Sequence, residues 1–370
     1  MIHTDPGKRH EFVLLFDVKN GNPNGDPDTG NMPRVDTETM YGLITDVAIK
    51  RKIRDYIALT RQVDGKVTPR FGIFVQSKTA LNTLYFRALR ETGVEPITVD
   101  VQDDEQLLEW LSHLEADDLE FIDSDTSSLT YAGEASKEKD LLDILKGGNE
   151  TDKALEAKLR ALAKAMAQAI KGKRSVTPKE REETKNILCR DYFDIRMFGA
   201  VLTAGTNAGQ VRGPVQCTFA RSLDQVFPQG VSITRVAITK EADRKRKRTE
   251  MGRKPLVPYG LYRAHGYFNP FLARGTGVNA EDLEALWDAL ANLFDFDRSA
   301  ARGEMAVRGL WVFSHDNEKG NAPAHKLFEL IKTPEAGGTP RSFEEYVIES
   351  PKDGPLETHG FAGVTLTRLI

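Results

Sequence analysis

The pattern of apolar and polar positions opens with a continuous apolar run. Residues 11–18 read Glu-Phe-Val-Leu-Leu-Phe-Asp-Val, and a short apolar run that ends in turn residues predicts a buried strand. The next segment, 20–35, is dense in Gly, Pro, Asn and Asp and predicts a loop. A helix is predicted from about Thr39 to Leu59, because apolar residues then fall within one half of the helical wheel. These residues are Met40, Leu43, Ile44, Val47, Ile53 and Ile57.

The pattern changes between residues 61 and 190. A short strand is predicted around Phe71 to Val75. Further along, apolar residues at helical spacing predict an amphipathic helix: Leu155, Leu159, Leu162, Met166 and Ile170. The composition of 147–148 and 171–175 is typical of connectors. We therefore predict a mostly helical insertion at 61–190.

Strand and helix patterns alternate again after the insertion. Strands are predicted at 211–219, 232–239, 258–268 and 307–313, and a helix at 283–294. Without the insertion, and with one of the three strands between the two helices left out, the order is strand, helix, strand, strand, helix, strand. That order predicts an α+β fold of the ferredoxin-like type, the arrangement shared by RNA-recognition (RRM) domains.

The charge of the chain is unevenly distributed. The 370 residues carry a formal net charge of −4, yet residues 91–136 contain 14 Asp and Glu and no Lys or Arg. The opposite extreme is 240–254, with eight basic residues against three acidic ones. A basic stripe attracts phosphate, whereas an acidic lobe faces solvent or a basic partner. The distribution therefore favours a nucleic-acid ligand despite the negative total.

Several classes of protein and site find no support in the sequence. No apolar stretch is long enough to span a bilayer, and the polar N-terminal residues lack the apolar run of a signal peptide. The cysteines, Cys189 and Cys217, have no zinc-ligand spacing. The seven histidines form no metal motif, and no Walker or nucleophile motif occurs. We expect a cytoplasmic protein without a cofactor or metal.

The loop at 20–36 is the strongest candidate for phosphate contact. Its turns contain Asn20, Asn22 and Asn24, and its small residues let a nucleic-acid backbone approach closely. Arg34 lies at the exit, just before a predicted helix N-terminus, which favours anions. An ordinary long surface loop is the alternative and has similar weight on composition alone.

Basic residues follow on the predicted helix. Leu43 and Val47 lie on the predicted core-facing stripe, and the same rhythm continues with Lys50 and Arg54, with Arg51 nearby. Such side chains can reach past the edge of a core toward phosphate. Extension into solvent without any ligand is the open alternative.

Two further segments have phosphate-binding character. Residues 240–254 lie between two predicted strands and include five consecutive basic residues, 244–248. They predict a protruding basic hairpin, for which a solvated tip is the alternative. Residues 205–213 are a turn of small residues with Arg212 near its end, similar to a phosphate nest.

Aspartates also cluster around the 20–36 loop. They are Asp17, Asp26, Asp28 and Asp36. Paired carboxylates can hold Mg²⁺ for phosphodiester cleavage. More often, Asp in a loop of this composition caps turns.

Several segments together resemble the backbone subunit of the subtype I-C CRISPR Cascade complex, the seventh Cas family. They are 12–18, 20–28, 30–35, 45–55, 191–199, 209–216 and 259–268. The resemblance implies an RRM-like palm at 1–60, 191–234 and 259–370, the last including a C-terminal extension. It further implies a helical finger insertion at 61–190 and a β-hairpin thumb at 235–258.

The resemblance implies a non-catalytic subunit that oligomerises head to tail along crRNA. Its other implied partners are the target DNA strand and the remaining Cascade subunits: the small guide-5′-end subunit, the large subunit and the small subunit. The implied RNA contacts of the palm are Asn20, Asn22, Asn24, Arg34, Lys50, Arg51, Arg54, Asn207, Gln210 and Arg212. Those of the thumb are Lys245, Arg246, Lys247, Arg248, Arg253 and Lys254. The competing hypothesis from the same superfamily is a metal-dependent endoribonuclease that uses Asp26, Asp28 or Asp36.

Overall fold

The computed structural model describes residues 1–114, 116, 119–124, 126–133, 135–171, 176–202, 209–237 and 249–370. The chain divides into two compact units. The sheet unit comprises Met1–Thr68 and Pro214–Ile370, and the inserted unit comprises Pro69–Gly213. Of the predicted RNA contacts, Asn207, Lys245, Arg246, Lys247 and Arg248 lie outside the described residues.

The strands are as follows: β1 (His10–Gly21), β2 (Gly25–Asp26), β3 (Met32–Pro33), β4 (Tyr41–Ile44), β5 (Gln62–Val63), β6 (Lys66–Val67), β7 (Ile97–Asp100), β8 (Leu119–Ile122), β9 (Ser128–Tyr131), β10 (Gly199–Leu202), β11 (Gly209–Arg212), β12 (Val215–Cys217), β13 (Ala220–Gln225), β14 (Gln229–Arg235), β15 (Glu250–Phe268), β16 (Glu304–His315), β17 (Gly354–Leu356) and β18 (Phe361–Arg368).

The α-helices are α1 (Asp46–Thr60), α2 (Leu81–Glu91), α3 (Glu105–Ser112), α4 (Glu138–Lys146), α5 (Lys153–Ile170), α6 (Pro178–Asp191), α7 (Phe193–Phe198), α8 (Pro270–Thr276), α9 (Ala280–Ala291) and α10 (Ala324–Phe328). Short 3₁₀ turns occur at Ile2–Thr4, Pro27–Thr29, Phe343–Glu345 and Glu357–His359. No helix among the described residues is both long and apolar enough to cross a bilayer.

The main sheet confirms the predicted α+β, ferredoxin-like fold. Its order is β17-β18-β16-β1-β15-β13-β4, and neighbouring strands are antiparallel. The strands β1, β13, β15 and β16, with α1 after the first and α9 after the third, follow the strand-helix-strand-strand-helix-strand order. Further strands widen this core, since β4 adds to one edge, β18 and β17 add to the other, and β12 and β14 also pair with β15.

β1 is apolar on both faces because both faces of the sheet are covered. Phe12 packs edge-on against Trp287 of α9, and Phe16 packs against Phe294, so these residues face the helices. Val13 and Leu15 face the other way and belong to a separate core cluster. A strand buried on both sides has no polar alternation, which explains the continuous run in the sequence.

A close approach between strands requires one glycine of β15. Gly266 lies opposite Phe12, and a Cβ atom at residue 266 would come within 1.9 Å of the Phe12 ring. Any larger residue would therefore displace an aromatic ring from the core.

The second face of the sheet is covered by residues 322–350, which we call the strap. Leu327, Phe328 and Ile331 of the strap pack against Val13 and Leu15. Farther along the strap, Tyr346 packs on Tyr259 and Leu261 of β15, together with Phe343 and Ile348. In RNA-recognition domains, aromatic side chains of the sheet stack RNA bases. In this protein, its own chain occupies that face.

Arg263 of β15 anchors the strap. Its guanidinium donates to the carbonyl oxygens of Phe328 (2.6 Å) and Ile331 (2.8 Å) and to the Thr333 hydroxyl (2.9 Å). Its Nε donates to Nε2 of His265 (3.0 Å), whose ring stacks on Phe328 with centroids 4.2 Å apart. One half-buried cation thus satisfies carbonyl groups at the end of α10 and just after it.

The inserted unit contains more β-structure than predicted. Its antiparallel sheet, β7-β9-β8, packs with α3, α4 and α5 in one apolar core. The predicted insertion ends at 190, whereas the inserted unit runs to Gly213 and includes β10 and β11.

The motif at 191–199 has a structural role within this unit. The Asp194 carboxylate accepts from the amides of Phe74 (2.8 Å) and Val75 (3.0 Å), and the fully buried Arg196 donates to the Arg70 carbonyl (2.8 Å).

Two local predictions were wrong, and a third was confirmed only in part. The predicted helix start at Thr39 is displaced, because β4 pairs with β13 there and α1 begins only at Asp46, after the Thr45 cap. The predicted strand at 211–219 is interrupted between β11 and β12. The predicted strand at 232–239 overlaps β14, which pairs with the first part of β15 outside the four-strand core.

We predict that Arg263→Met lowers the free energy of unfolding by about 2–4 kcal/mol, because it leaves buried carbonyl groups without a donor. Denaturant unfolding measures this change. Arg341→Met, at an exposed site of the strap, is the matched control and should leave the midpoint nearly unchanged. Equal midpoints for both variants would show that Arg263 does not anchor the strap.

We also predict a loss of stability on acidification from about pH 6.5 to pH 4. Burial lowers the pKa of His10 to about 4, and burial together with the neighbouring Arg263 lowers the pKa of His265 to about 4. The unfolded chain therefore binds more protons than the folded chain in this window, so stability falls as the pH falls. Each histidine should contribute about 1–2 kcal/mol. His265→Gln should reduce the pH dependence by roughly half, and an unchanged pH dependence would contradict the assignment.

Candidate nucleic-acid interface

The 20–36 segment is an ordered hairpin rather than an open loop. Its two short strands pair through Gly25 opposite Pro33 and Asp26 opposite Met32. A 3₁₀ turn at Pro27–Thr29 joins them, and the Asp26 side chain caps this turn by accepting from the Asp28 amide (3.2 Å). Local capping and pairing therefore satisfy much of the backbone that the sequence offers to a ligand.

Two of the three predicted asparagine contacts point into the protein. Asn22 is 5% exposed and donates to the Asn31 carbonyl at 2.7 Å. Oδ1 of Asn24 accepts from the Thr45 amide (3.0 Å) and the Thr45 hydroxyl (3.1 Å), which ties the hairpin to the start of α1. Asn20 is exposed and has a left-handed backbone, with φ of 52°. Of the three, Asn20 is exposed, while the buried Asn22 and the half-buried Asn24 shape the hairpin.

Arg34 lies at the base of the hairpin. Its side chain is 33% exposed, and its Nη2 lies 3.4 Å from a carboxylate oxygen of Asp26. Its amide donates to the Asn24 carbonyl (3.2 Å), and its carbonyl accepts from the Leu43 amide (2.9 Å). A partly exposed ion pair of this kind contributes little to stability, so the guanidinium can exchange its carboxylate partner for a phosphate at small cost.

The three predicted basic contacts of α1, Lys50, Arg51 and Arg54, lie outside its buried stripe. The buried stripe contains Ile49, Ile53 and Ile57. The prediction that Val47 faces the core was wrong, because its side chain is 62% exposed. Lys50 and Arg54 are three and seven residues after Val47 and therefore share its side of the helix.

These basic side chains have acidic neighbours on the helix. Lys50 pairs with Asp46 at 2.9 Å and is only 12% exposed, and Arg51 pairs with Asp55 at 2.8 Å and is 54% exposed. Arg54 is partly exposed. Ion pairs four residues apart on a helix are worth about 0.3–0.5 kcal/mol. The helix therefore offers cations that a polyanion can recruit.

Lys52 is a functional candidate that the sequence pattern did not single out. It lies on the buried side of α1, and its Nζ contacts the carboxylate of Asp297 and lies 5.5 Å from the centroid of the Phe294 ring. Burial lowers its pKa. Asp297 also lies 3.3 Å from Nε of Arg302. Another nitrogen of the Arg302 guanidinium donates to the Asn22 carbonyl (3.3 Å). This chain of contacts supports the hairpin from the side of the core. The sequence feature that could have indicated it was a lysine among buried helical positions.

The predicted thumb is a two-stranded ribbon that begins earlier than expected. β14 pairs with the first part of β15, from Gln229 opposite Leu256 to Arg235 opposite Glu250, and every residue of β14 is exposed. Arg253 lies opposite Ser232 and Lys254 opposite Val231. Successive side chains of a strand point to opposite faces, so Arg253 and Lys254 project from different faces of the ribbon.

The remaining predicted contacts belong to the inserted unit. Gln210 and Arg212 are exposed on one face of β11, with the buried Val211 between them. The prediction assigned both residues to the same palm as Arg34, but they lie in a different compact unit. They therefore form a second, independent candidate patch.

Two of the three loop aspartates, Asp26 and Asp36, already accept hydrogen bonds from the local backbone. Asp36 accepts from the amides of Glu38 (3.1 Å) and Thr39 (3.3 Å), bonds that lower its pKa, and it pairs with Arg221 at 3.1 Å. Asp26 caps Asp28 and pairs with Arg34. Within the described part of the chain, no three His, Cys, Asp or Glu side chains are grouped to hold a metal ion.

The sequence matches the family described as "CRISPR-associated protein Cas7" over residues 8–351. The chain belongs to the Cas7 family. This confirms the predicted resemblance at the level of the family, and the subtype stays a prediction.

Individual relatives are more distant. A Haloferax volcanii protein named "CRISPR-associated protein Cas7" is 45% identical over 68 residues, which is 18% of this chain and 17% of that protein. A chain of a "CRISPR RNA-guided surveillance complex, pre-nicking" aligns with a TM-score of 0.46 and 16% identity, covering 91% of this chain and 86% of that one. A chain of a "CRISPR RNA-guided surveillance complex" aligns with a TM-score of 0.36 and 15% identity, covering 82% and 75%.

Within this Cas7 family member, the hairpin depends on Asn24. We predict that Asn24→Ala destabilises the protein by about 1 kcal/mol, because it removes the acceptor for both Thr45 donors. Thermal unfolding measures the change. Thr29→Ala, an exposed site of the same hairpin, should have almost no effect. If the two variants unfold alike, Asn24 is not the link between the hairpin and α1.

Proposed function

We propose that this protein is a non-catalytic backbone subunit that binds crRNA in a CRISPR surveillance complex and oligomerises along it. Membership of the Cas7 family supports the proposal. The observation that carries it is the exposed ribbon of β14 and β15. An isolated two-stranded ribbon is marginally stable in water, and this one exposes the apolar side chains of Val231, Ile233 and Met251 as well as Arg253. Such a ribbon is suited to pack on a neighbouring copy and on RNA.

The covered sheet favours recognition of the RNA backbone over its bases. The strap occupies the face on which RRM domains stack bases. The candidates that are at least partly exposed carry basic or amide side chains: Asn20, Arg34, Lys50, Arg51 and Arg54. Phosphate contacts position a nucleic acid without reading its sequence. A subunit that leaves sequence choice to pairing between guide and target needs contacts of this kind.

The finer assignments extend the same proposal. We assign the palm to the sheet unit, the finger to the inserted unit and the thumb to the ribbon with residues 236–249. We further propose subtype I-C, with the target DNA strand and the other Cascade subunits as partners. The motifs at 20–35 and 45–55 support the subtype, since they are the longest segments of the resemblance.

The endoribonuclease remains the second candidate because the aspartates flank a candidate RNA contact. The geometry favours the scaffold, since Asp26 and Asp36 are each engaged by backbone amides and an arginine. A carboxylate with these partners would have to exchange them to coordinate Mg²⁺.

In the deciding experiment, the protein is purified with its bound nucleic acid, which is then sequenced. The purified sample is incubated with Mg²⁺ and labelled complementary RNA. We expect protected RNA of guide length and no cutting of the complement. Periodic cutting that is lost in Asp26→Ala, Asp28→Ala or Asp36→Ala would establish the endoribonuclease instead. Copurified RNA of random length and sequence would contradict the guide assignment.

We predict that Lys50→Gln with Arg54→Gln weakens RNA binding with little change in melting temperature. Each lost phosphate contact should reduce the dependence of log K on log salt by about 0.7 to 1. Fluorescence anisotropy over a salt series measures this slope. Lys326→Gln with Lys352→Gln, which changes exposed lysines elsewhere in the sheet unit, is the control. A large fall in melting temperature with an unchanged slope would show a structural role for Lys50 and Arg54.

The ribbon permits a parallel test. Arg253 and Lys254 project from opposite faces of the ribbon. We therefore predict that the single variants Arg253→Gln and Lys254→Gln differ in their effect on the dependence of log K on log salt. Reversing the charge of residues 244–248 should weaken binding and flatten the slope further. Unchanged slopes in all three proteins would remove the ribbon from the RNA interface.

A further inference from the structure

Helix α5 of the inserted unit carries a basic stripe that none of the proposed RNA contacts uses. The helix buries Leu155, Leu159, Leu162, Ala163 and Met166 in the core of the unit. On its opposite side, Lys153, Arg160 and Lys164 are all exposed. With 3.6 residues per turn, these three residues fall within about 40° of one another around the helix. They therefore form a single stripe along the helix.

The stripe borders a shallow groove of about 570 Å³. Ala157 and Ala161 form part of its lining, so a partner can approach the helix backbone closely. The groove also contains Glu138 and Glu156. Glu156 is paired with Lys146 and with Arg160, both at 3.1 Å, and these pairs lower its pKa. The lining is thus a mixture of charges in which the basic side chains prevail.

The same unit presents an acidic surface on another flank of α5. Asp103, Glu105 and Glu109 are exposed at and just before α3. The position of α3 is fixed by Lys158, whose Nζ lies 2.7 Å from the Asp104 carboxylate. Lys158 is about 140° around α5 from the centre of the stripe. The unit therefore carries opposite charges on different sides.

We propose that the basic stripe of α5 binds the acidic α3 surface of a second copy of this chain. Two complementary patches on different sides of one molecule make a head-to-tail contact, which repeats without closing into a dimer. A polynucleotide fits less well, because the groove contains carboxylates and the neighbouring segment 91–136 carries 14 acidic residues that repel a polyanion. The inference deepens the proposed function, since it rests on repeated copies along one RNA and names a surface that joins them.

The test measures self-association by sedimentation velocity on protein freed of nucleic acid. The stripe variant is Lys153→Glu with Arg160→Glu and Lys164→Glu. The α3 variant is Asp103→Lys with Glu105→Lys and Glu109→Lys. We expect each to raise the dissociation constant about tenfold or more, because like charges then meet. Combining both sets in one chain restores opposite charges across the contact, so self-association should return toward the wild-type value.

The control variant is Lys179→Glu with Lys326→Glu and Lys352→Glu, which reverses three exposed lysines away from α5 and should associate like the wild type. A circular dichroism spectrum and a melting temperature confirm that each variant is folded. Three results would overturn the inference: a wild type that stays monomeric, a stripe variant that associates normally, or a folded combined variant that stays dissociated.

A separate binding assay uses an RNA oligonucleotide long enough for one copy only. Reduced affinity of the stripe variant in this assay, with normal self-association, would assign the stripe to a polynucleotide and would also overturn the inference. Absence of RNA binding by the wild type would contradict the proposed function alone. The charge-swap result would then still decide whether copies meet through α3 and α5.

Discussion

The rest of the structure depends on the pairing of β15 with two different partners. Its first residues, 250–256, pair with β14 in the exposed ribbon, and its later residues, 257–268, pair with β1 in the core of the sheet. One continuous strand thus joins the most exposed element of the sheet unit to its most buried one. Because the core half is held on both sides by β1 and β13, the direction in which the ribbon leaves the sheet is set by the core.

The same strand also determines which surface is left for a ligand. Side chains of β15 on one face, Tyr259, Leu261, Arg263 and His265, receive the strap and hold it with apolar contacts and with the Arg263 guanidinium. Where the strap covers that face, aromatic side chains such as Tyr259 are buried and cannot stack RNA bases. Under the proposed function, RNA binding then depends on the hairpin, α1 and the ribbon, where cations and backbone predominate. The core keeps the strand-helix order of RNA-recognition domains, but the proposed RNA contacts lie on a different surface.

The hairpin between β1 and α1 shows how such a surface is kept in shape. Asn22 and Asn24 satisfy backbone and cap groups, Asp26 and Asp36 cap turns, and Lys52, Asp297 and Arg302 brace the hairpin from the core. Arg34, Lys50 and Arg51 are the groups that can change partners, because their ion pairs are weak and at least partly exposed. The residues that shape the hairpin therefore differ from those able to contact phosphate, although both kinds occur in the same motif.

The sequence by itself determined the fold class, the buried central strand, the uneven charge and the family. These features are local or compositional: periodicity reports burial, and a long motif resembles its relatives position by position. The tertiary structure decided the start of α1, the orientation of the asparagines, the covering of the sheet by the strap and the assignment of Gln210 and Arg212 to the inserted unit. Each of these depends on contacts between residues far apart in the chain. Thr39 lies outside α1 because β4 pairs with β13, about 180 residues away, and no local pattern around Thr39 contains that pairing.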